Sequence, residues 1–593
     1  MVDRSFAVGS QIEENSQRLT SLFLKYKTID NPIISGLISS IPGTFSDTVK
    51  MVLSSNFYSS DFNTRAQVNR NAPADFIVKN RTTLAKFINK FHLEADTMTS
   101  KVRHSIKLLN DPNTKLLVSA HQPNLFAYGG VFKKIVLLHT LQNVLKQYNS
   151  EIKIVNLFLI ADHDFMEELW TRYAQLPNVQ QSSGILELRM PVNNSHKQQM
   201  MCNISIPERS ILDNWKKQIL SWIDANCSSS LLCSSERKSH LLENFGQFWQ
   251  QLEISYSKAK GYSDFNSFLM SQIVNEVWNY DTLFVRLTDI SLVFEDGLRY
   301  LINNFDKYSK ALTEAEKIFS NYGINNGISS ASYQKAPVWL HCKCGSKASA
   351  KIITQDNRQQ EEEQQIILAG TCLSCKRHLL LNLGNKNTLD FLNREEVLRQ
   401  LSPVAIPIIL LLSRDLGITC YASGTAGIRY IIHGSIMFKE LSINLPQIII
   451  WPARDIYYGI GQSKALEAVQ LTKQSDVKPY LQSLNQKIIE YDNKISSLVE
   501  ERMRRINFGE PLHTLLSDLY YMKQKQKTNR QLVTLLERAK NAIEVNPCFV
   551  DYAVNFGIDR VEEKWRQNLL TNNNFAAPIL MDNNNTTSHI SLA

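Results

Sequence analysis

No stretch of this chain stays apolar for the roughly 18 to 20 residues that a bilayer-spanning helix needs. Its first residues, Met1-Val-Asp-Arg-Ser, lack the basic-then-apolar order of a secretory signal. Nine cysteines are too few and too uneven in spacing for the dense framework of a secreted disulfide protein. Charge of one sign is also scarce: 65 Lys and Arg face 56 Asp and Glu, a net +9 diluted over 593 residues. The one dense basic run, Glu501-Arg-Met-Arg504-Arg505, falls at the end of an expected helix, where positive charge complements the dipole, and no aromatic-interleaved basic stripe accompanies it. These absences argue against membrane-spanning, secreted and nucleic-acid-binding classes, and the expectation is a soluble, cytoplasmic protein with reduced thiols. A Walker-type phosphate loop is missing too, which leaves nucleotide binding open, because Rossmann-like domains bind nucleotides without one.

What is present is organised as two to four structural units, the number expected for this length. Two segments stand out. Leu116-Leu-Val-Ser119-Ala120 runs into His121-Gln122-Pro123-Asn124 and then Gly129-Gly130, and Val155-Asn-Leu-Phe-Leu-Ile160 runs into Ala161-Asp162-His163-Asp164-Phe165. Each is an apolar run of the length of a buried parallel strand that breaks into polar or ionisable residues. Between them Ile135, Val136, Leu138, Leu141, Val144 and Leu145 recur near the helical period. The unit therefore reads β-α-β, with both polar clusters at carboxyl ends of strands, where open α/β sheets bind their ligands. His121, Gln122, Asp162, His163 and Asp164 are expected to line one crevice, with Gly129 and Gly130 letting helix N–H groups approach an anion. The plainer alternatives are hydrogen-bonded histidines, and Asp162 to Asp164 capping a helix whose first turn carries Glu167 and Glu168.

A third segment is Tyr421-Ala-Ser423-Gly424-Thr-Ala-Gly427-Ile-Arg429-Tyr430, followed by Ile443-Asn-Leu-Pro446-Gln-Ile-Ile-Ile450-Trp-Pro452-Ala-Arg454. Together the three segments resemble the BshC family, the cysteine-adding enzymes of bacillithiol synthesis, from about residue 80 to 540. The sequence departs from that family in two places: Ala120-His121-Gln122 stands where the family has Gly-Gln-Gln, and Gly424-Thr425-Ala426-Gly427 where it has Gly-Pro-x-Glu. The His-Gln-Pro-Asn form is also similar to the WbqC-like family, over the first strand and turn alone. The resemblance implies condensation of a cysteine carboxyl with the amine of a glucosaminyl-type acceptor, with ATP or ADP as the nucleotide. On that reading His163 is a base, and Asp162 and Asp164 orient donors or bind metal. His121, Gln122, Asn124, Gly129, Gly130, Lys133, Ser423, Gly424, Arg429 and Tyr430 bind substrate, with Lys134 beside Lys133. The alternative is a non-catalytic or differently specific binding or scaffold protein.

Cys342-Lys-Cys344-Gly345 and Cys372-Leu-Ser-Cys375 pair thiolates on two turns, a pattern that closes a tetrahedral shell on structural zinc. His341 and His378 are spare candidates, strands are expected over 348–353 and 364–368, and a polar tip over 355–365. Val477, Leu481, Leu484, Ile488, Tyr491, Ile495 and Leu498 form a heptad seam. Gly509-Glu510-Pro511 interrupts it before Leu512, Leu515, Leu516, Leu519, Leu532, Leu535 and Leu536, so a helical hairpin is expected. Its seam is long enough to pair with a second copy, as the resembled family pairs through its coiled coil, giving a homodimer; the alternative is an arm packed back on its own chain. The expected class is thus α/β, a Rossmann-like parallel core with a zinc-ribbon insertion and a helical hairpin. Its divisions are 1–110, a helical or irregular cover; 111–334 and 386–462, the core; 335–385, the ribbon; 463–570, the arm; and 571–593, a disordered Asn- and Thr-rich tail. One helix is expected from Arg81, with Leu84, Phe87, Ile88, Phe91, Met98, Val102, Ile106 and Leu109 on a broadly common face.

Overall fold

The computed structural model describes residues 26–54, 74–166, 169–194, 196–228, 233–324, 335–356, 364–424, 427–450, 454–456, 459–571 and 587–589. The strands, in chain order, are β1 Lys115–His121, β2 Ile154–Ile160, β3 Tyr173–Pro177, β4 Ile185–Arg189, β5 Leu283–Arg286, β6 Lys335–His341, β7 Lys347–Asp356, β8 Gln364–Thr371, β9 His378–Asn385, β10 Leu401–Pro403, β11 Cys420–Ser423 and β12 Gln447–Ile450. Five of them make one parallel sheet in the order β5-β2-β1-β11-β12. Numbered within that sheet the order is third, second, first, fourth, fifth, that of a Rossmann sheet, and its direction of winding switches between β1 and β11.

The pleat explains why the strands read as unbroken apolar runs. Leu117, Phe158, Phe284, Cys420 and Ile449 point into one core with the helices Gly129–Tyr148, Arg209–Cys227 and Ser235–Lys258. Their neighbours Leu116, Val118, Leu157, Val285 and Ile448 point into the other, against Phe305–Asn321, Ala405–Leu416 and Ile428–Glu440. A sheet covered on both faces needs apolar residues at every position.

The ribbon is a five-stranded antiparallel sheet, β10-β6-β7-β8-β9, whose edge strand β10 lies beyond residue 385. Most of the expected polar tip, 357–363, lies outside the described residues. The hairpin consists of two 32-residue helices, Val477–Phe508 and His513–Glu544, turned by Gly509 at φ +66°. It stands on a small core of Val179, Leu466, Val469, Val477, Leu484 and Leu536. The tip of the β3–β4 hairpin is wedged against it, so that a Cβ on Gly184 would meet the Arg538 carbonyl at 2.1 Å.

Three expectations are corrected. The arm ends at Glu544: Phe549–Phe556 and Arg560–Thr571 return to the main core, where Phe549 stacks on Phe132 with centroids 4.1 Å apart and Trp565 is fully buried. The single helix from Arg81 is two, Ala74–Glu94 and Ser100–Leu108, because Asp96 takes φ +57° and Thr99 caps the second through Val102 N. Thr587–His589, in the expected disordered tail, pairs in parallel with Arg454–Ile456; the rest of 572–593 and residues 1–25 are outside the described residues. No described helix is long and apolar enough to cross a membrane.

Candidate active site at the carboxyl ends of the sheet

The strand order places the ends of β11, β1 and β2 side by side. Ser119 is in register with both Ala422 and Phe158, and His121 with Ile160, so Ser423-Gly424, His121-Gln122 and Asp162-His163-Asp164 leave adjacent strands at the same edge. The first two flank the switch point, between the Gly129–Tyr148 helix on one face and the Ile428–Glu440 helix on the other.

His121 and Asp164 sit at the centre. The Ala161 N–H donates to the His121 carbonyl at 2.9 Å, and Gln122 Nε2 donates to Asp164 Oδ2 at 2.8 Å while its Oε1 accepts from Trp170 Nε1 at 3.0 Å. His121 Nε2 lies 2.9 Å from the Tyr128 hydroxyl, and burial together with the nearby Lys134 ammonium holds the imidazole down to about 3. Lys134 reaches from the helix to the Ala120 carbonyl at 2.7 Å, and burial lowers it to about 7. Asn124 is buried with neither side-chain atom hydrogen-bonded among the described residues.

The two aspartates have opposite surroundings. Asp162 is fully buried and accepts from Thr288 N at 3.1 Å and Thr288 Oγ1 at 2.5 Å, which ties the loop after β2 to the loop after β5. Burial outweighs those donors and raises it to about 7. Asp164 keeps 32% of its side chain exposed. Burial opposes its ionisation, but the Lys347 ammonium at 3.7 Å and the Gln122 amide outweigh that and hold it below the usual carboxylate value. His163 is buried and neutral, pushed down to about 3 by burial and by Lys347, and its Nδ1 has no partner among the described residues. Asp164 is thus the ionised, accessible member of the trio, and Asp162 braces the loop. Glu167 and Glu168, the expected first turn, are outside the described residues.

The ends of β1 and β2 sit inside a matched segment. Residues 24–277 match the family model for the bacillithiol biosynthesis BshC N-terminal Rossmann-like domain. Over those residues the chain is similar to that domain. No curated protein matches the chain. That description ties the matched segment to bacillithiol biosynthesis. The segment contains β1 and β2 with their polar ends, whereas β5, the ribbon, β11 and β12 lie beyond the match.

Around the BshC-type domain the remaining expected residues take varied places. Gly129 is needed for packing, since a Cβ there would lie 2.7 Å from the Tyr552 ring. Gly130 and Lys133 are buried in the same first turns. Ser423 Oγ donates to the Gly424 carbonyl at 3.1 Å; Arg429 lies near Tyr26, which burial raises to about 12, and near His433, which burial and the Arg429 charge lower; Tyr430 is exposed. Thr425 and Ala426 are outside the described residues.

The four cysteines converge. Cys342 and Cys375 sulfurs are 3.6 Å apart, those of Cys344 and Cys372 3.5 Å, and all four lie within 4.8 Å of one another. A tetrahedral zinc with bonds near 2.3 Å needs sulfurs about 3.8 Å apart, so the group fits a metal of that size. His341 and His378 are engaged elsewhere, with Ser402 Oγ at 2.9 Å and Thr371 Oγ1 at 3.2 Å.

Lys347, Thr288 and Trp170 were not among the expected site residues. Thr288 follows an apolar strand and Trp170 follows the Asp162 loop, so both carried a positional signal; Lys347 carried none.

Proposed function

We propose that the chain catalyses a BshC-type ligation, joining the carboxyl of cysteine to the amine of a glucosaminyl-type acceptor in low-molecular-weight thiol synthesis. The carrying observation is that the matched domain holds the Gln122–Asp164 cluster at the carboxyl ends of β1 and β2. Amide formation from a carboxylate needs that carboxylate activated, and ATP or ADP is the nucleotide this reading uses. Asp164, ionised and reachable, orients the ammonium of the acceptor. The base is better sought in a buried lysine such as Lys134 than in His163, since an imidazole held near 3 is a weak proton acceptor. Asn124, with neither amide atom paired among the described residues, is a natural contact for a polar substrate group. His121 and the Gly424-Thr-Ala-Gly427 sequence, which differ from the family pattern, favour an acceptor of altered structure.

Cys342, Cys344, Cys372 and Cys375 are proposed to hold one structural zinc, a closed shell that a reducing, cytoplasmic setting keeps loaded. The arm is proposed to pair with a second copy, because Met503, Ile506, Phe508, Tyr520 and Tyr521 are exposed along its distal half.

The test is incubation of the purified chain with L-cysteine, a glucosaminyl amine and ATP or ADP, read by mass spectrometry. An amide product that requires the nucleotide supports the reading. No product with any glucosaminyl amine rejects it.

A further inference from the structure

The ribbon is joined to the Asp164 cluster at three points. Its first cysteine turn is hydrogen-bonded to a segment of the main domain: the Gly345 carbonyl accepts from Met200 N at 2.9 Å and Asn203 Nδ2 at 3.0 Å, and the Cys344 carbonyl from Gln199 Nε2 at 3.1 Å. That segment in turn holds the loop after β2, since Met201 N donates to the Asp164 carbonyl at 2.8 Å and Cys202 N to the Asp162 carbonyl at 3.0 Å. The third link is Lys347. Its side chain is 2% exposed, its Nζ donates to the His163 carbonyl at 2.7 Å and lies 3.7 Å from Asp164 Oδ1, and it sits 4.6 Å from the ring centres of both Phe165 and Trp339. The Lys347 carbonyl accepts from Leu373 N at 3.3 Å, inside the second cysteine turn.

Lys347 therefore spans from the turn between Cys372 and Cys375 to Asp164. A buried ammonium facing one carboxylate fixes that carboxylate in orientation and charge, because leaving either group alone in this setting is costly. The two aromatic faces hold the cation in place. A ribbon serving only as a bulky insertion would need none of this: methionine would fill the same volume between Phe165 and Trp339. We propose that Lys347 is a positioning residue for Asp164, and that metal bound by Cys342, Cys344, Cys372 and Cys375 controls the site by holding Lys347 in place. The control of turnover rests on the ligase reading above; the coupling between metal and the Asp164 loop does not.

The experiment uses the full chain, zinc-loaded or stripped with a chelator, and follows backbone hydrogen exchange by mass spectrometry. Stripping is expected to raise exchange at 335–403 and also at 162–166 and 199–203; a rise confined to 335–403 would overturn the coupling. In a second arm, zinc-loaded Lys347→Met and Lys347→Arg are compared with the wild type at equal zinc content. Lys347→Met should raise exchange at 162–166 and lower kcat/KM on the order of tenfold to a hundredfold, the effect of losing a charged hydrogen-bond partner. Lys347→Arg should restore part of both. Unchanged exchange and full turnover in Lys347→Met would overturn the positioning role. If the wild type forms no product the ligase reading fails, and exchange alone decides the coupling.

Discussion

The parallel sheet and the ribbon solve the problem of stability in different ways. The sheet is sandwiched between two layers of helices, so its five strands are held by apolar burial on both faces. The ribbon has one buried face, with Ile353 and Leu380 left exposed on the other, and its turns bring four sulfurs together in a group that could hold a metal. A domain held by burial loses stability in small steps as side chains are trimmed; an element held by a metal loses it in one step when the ion leaves. The site lies where the two meet, so it inherits the sensitivity of the weaker partner.

The largest expected effect follows from that difference. Cys372→Ser should abolish tight zinc binding, an interaction worth about 10 kcal/mol or more in structural sites. Proteolysis should then cut between residues 335 and 403 while the main domain survives. Zinc content equal to the wild type would remove the distinction between the two regions. Phe158→Ala, in the centre of the sheet and 5.2 Å from the Phe284 ring, should do the reverse. It should cost about 3 to 5 kcal/mol in denaturant unfolding with zinc retained.

The aspartates sharpen the comparison by sign. Asp162 is raised in the folded state to about 7, so its contribution is greatest below pH 4 and is lost as the pH climbs to 7. Asp162→Asn should therefore gain on the wild type between pH 4 and pH 7, by up to about 4 kcal/mol. Asp164 is lowered, so its contribution is present above its unfolded value and lost on acidification. Asp164→Asn should be the weaker protein at neutral pH, with the gap closing in acid. Urea midpoints across that range decide it, and shifts of the same sign in both variants would contradict these surroundings. The smallest effect is expected on the arm, where Phe508→Asp should change stability by less than about 0.5 kcal/mol. Sedimentation should nevertheless show loss of a dimer; an unaltered state would leave the arm without that role.

Much of the sheet was legible because doubly covered strands must be apolar at every position, which marks them and their polar ends alike. The hairpin was legible from its seam and from Gly509. The seam gave no sign of where the chain leaves the arm, because Phe549, Tyr552 and Trp565 continue an apolar pattern that serves the main core instead. The break at Asp96 was hidden for the same reason: Phe91 and Val102 are both buried although they belong to separate helices. Gly129 read as an opening for an anion and is a clearance for Tyr552. The contact of Lys347 with His163 joins residues 184 apart, and nothing local in either segment encodes it.

The most direct test of the central claim, that Asp164 at the end of β2 serves the ligation, is product formation by Asp164→Ala beside the wild type at matched thermal stability. The account predicts cysteine joined to a glucosaminyl amine by the wild type and at least a hundredfold less by the variant. Equal rates in the two proteins would contradict it.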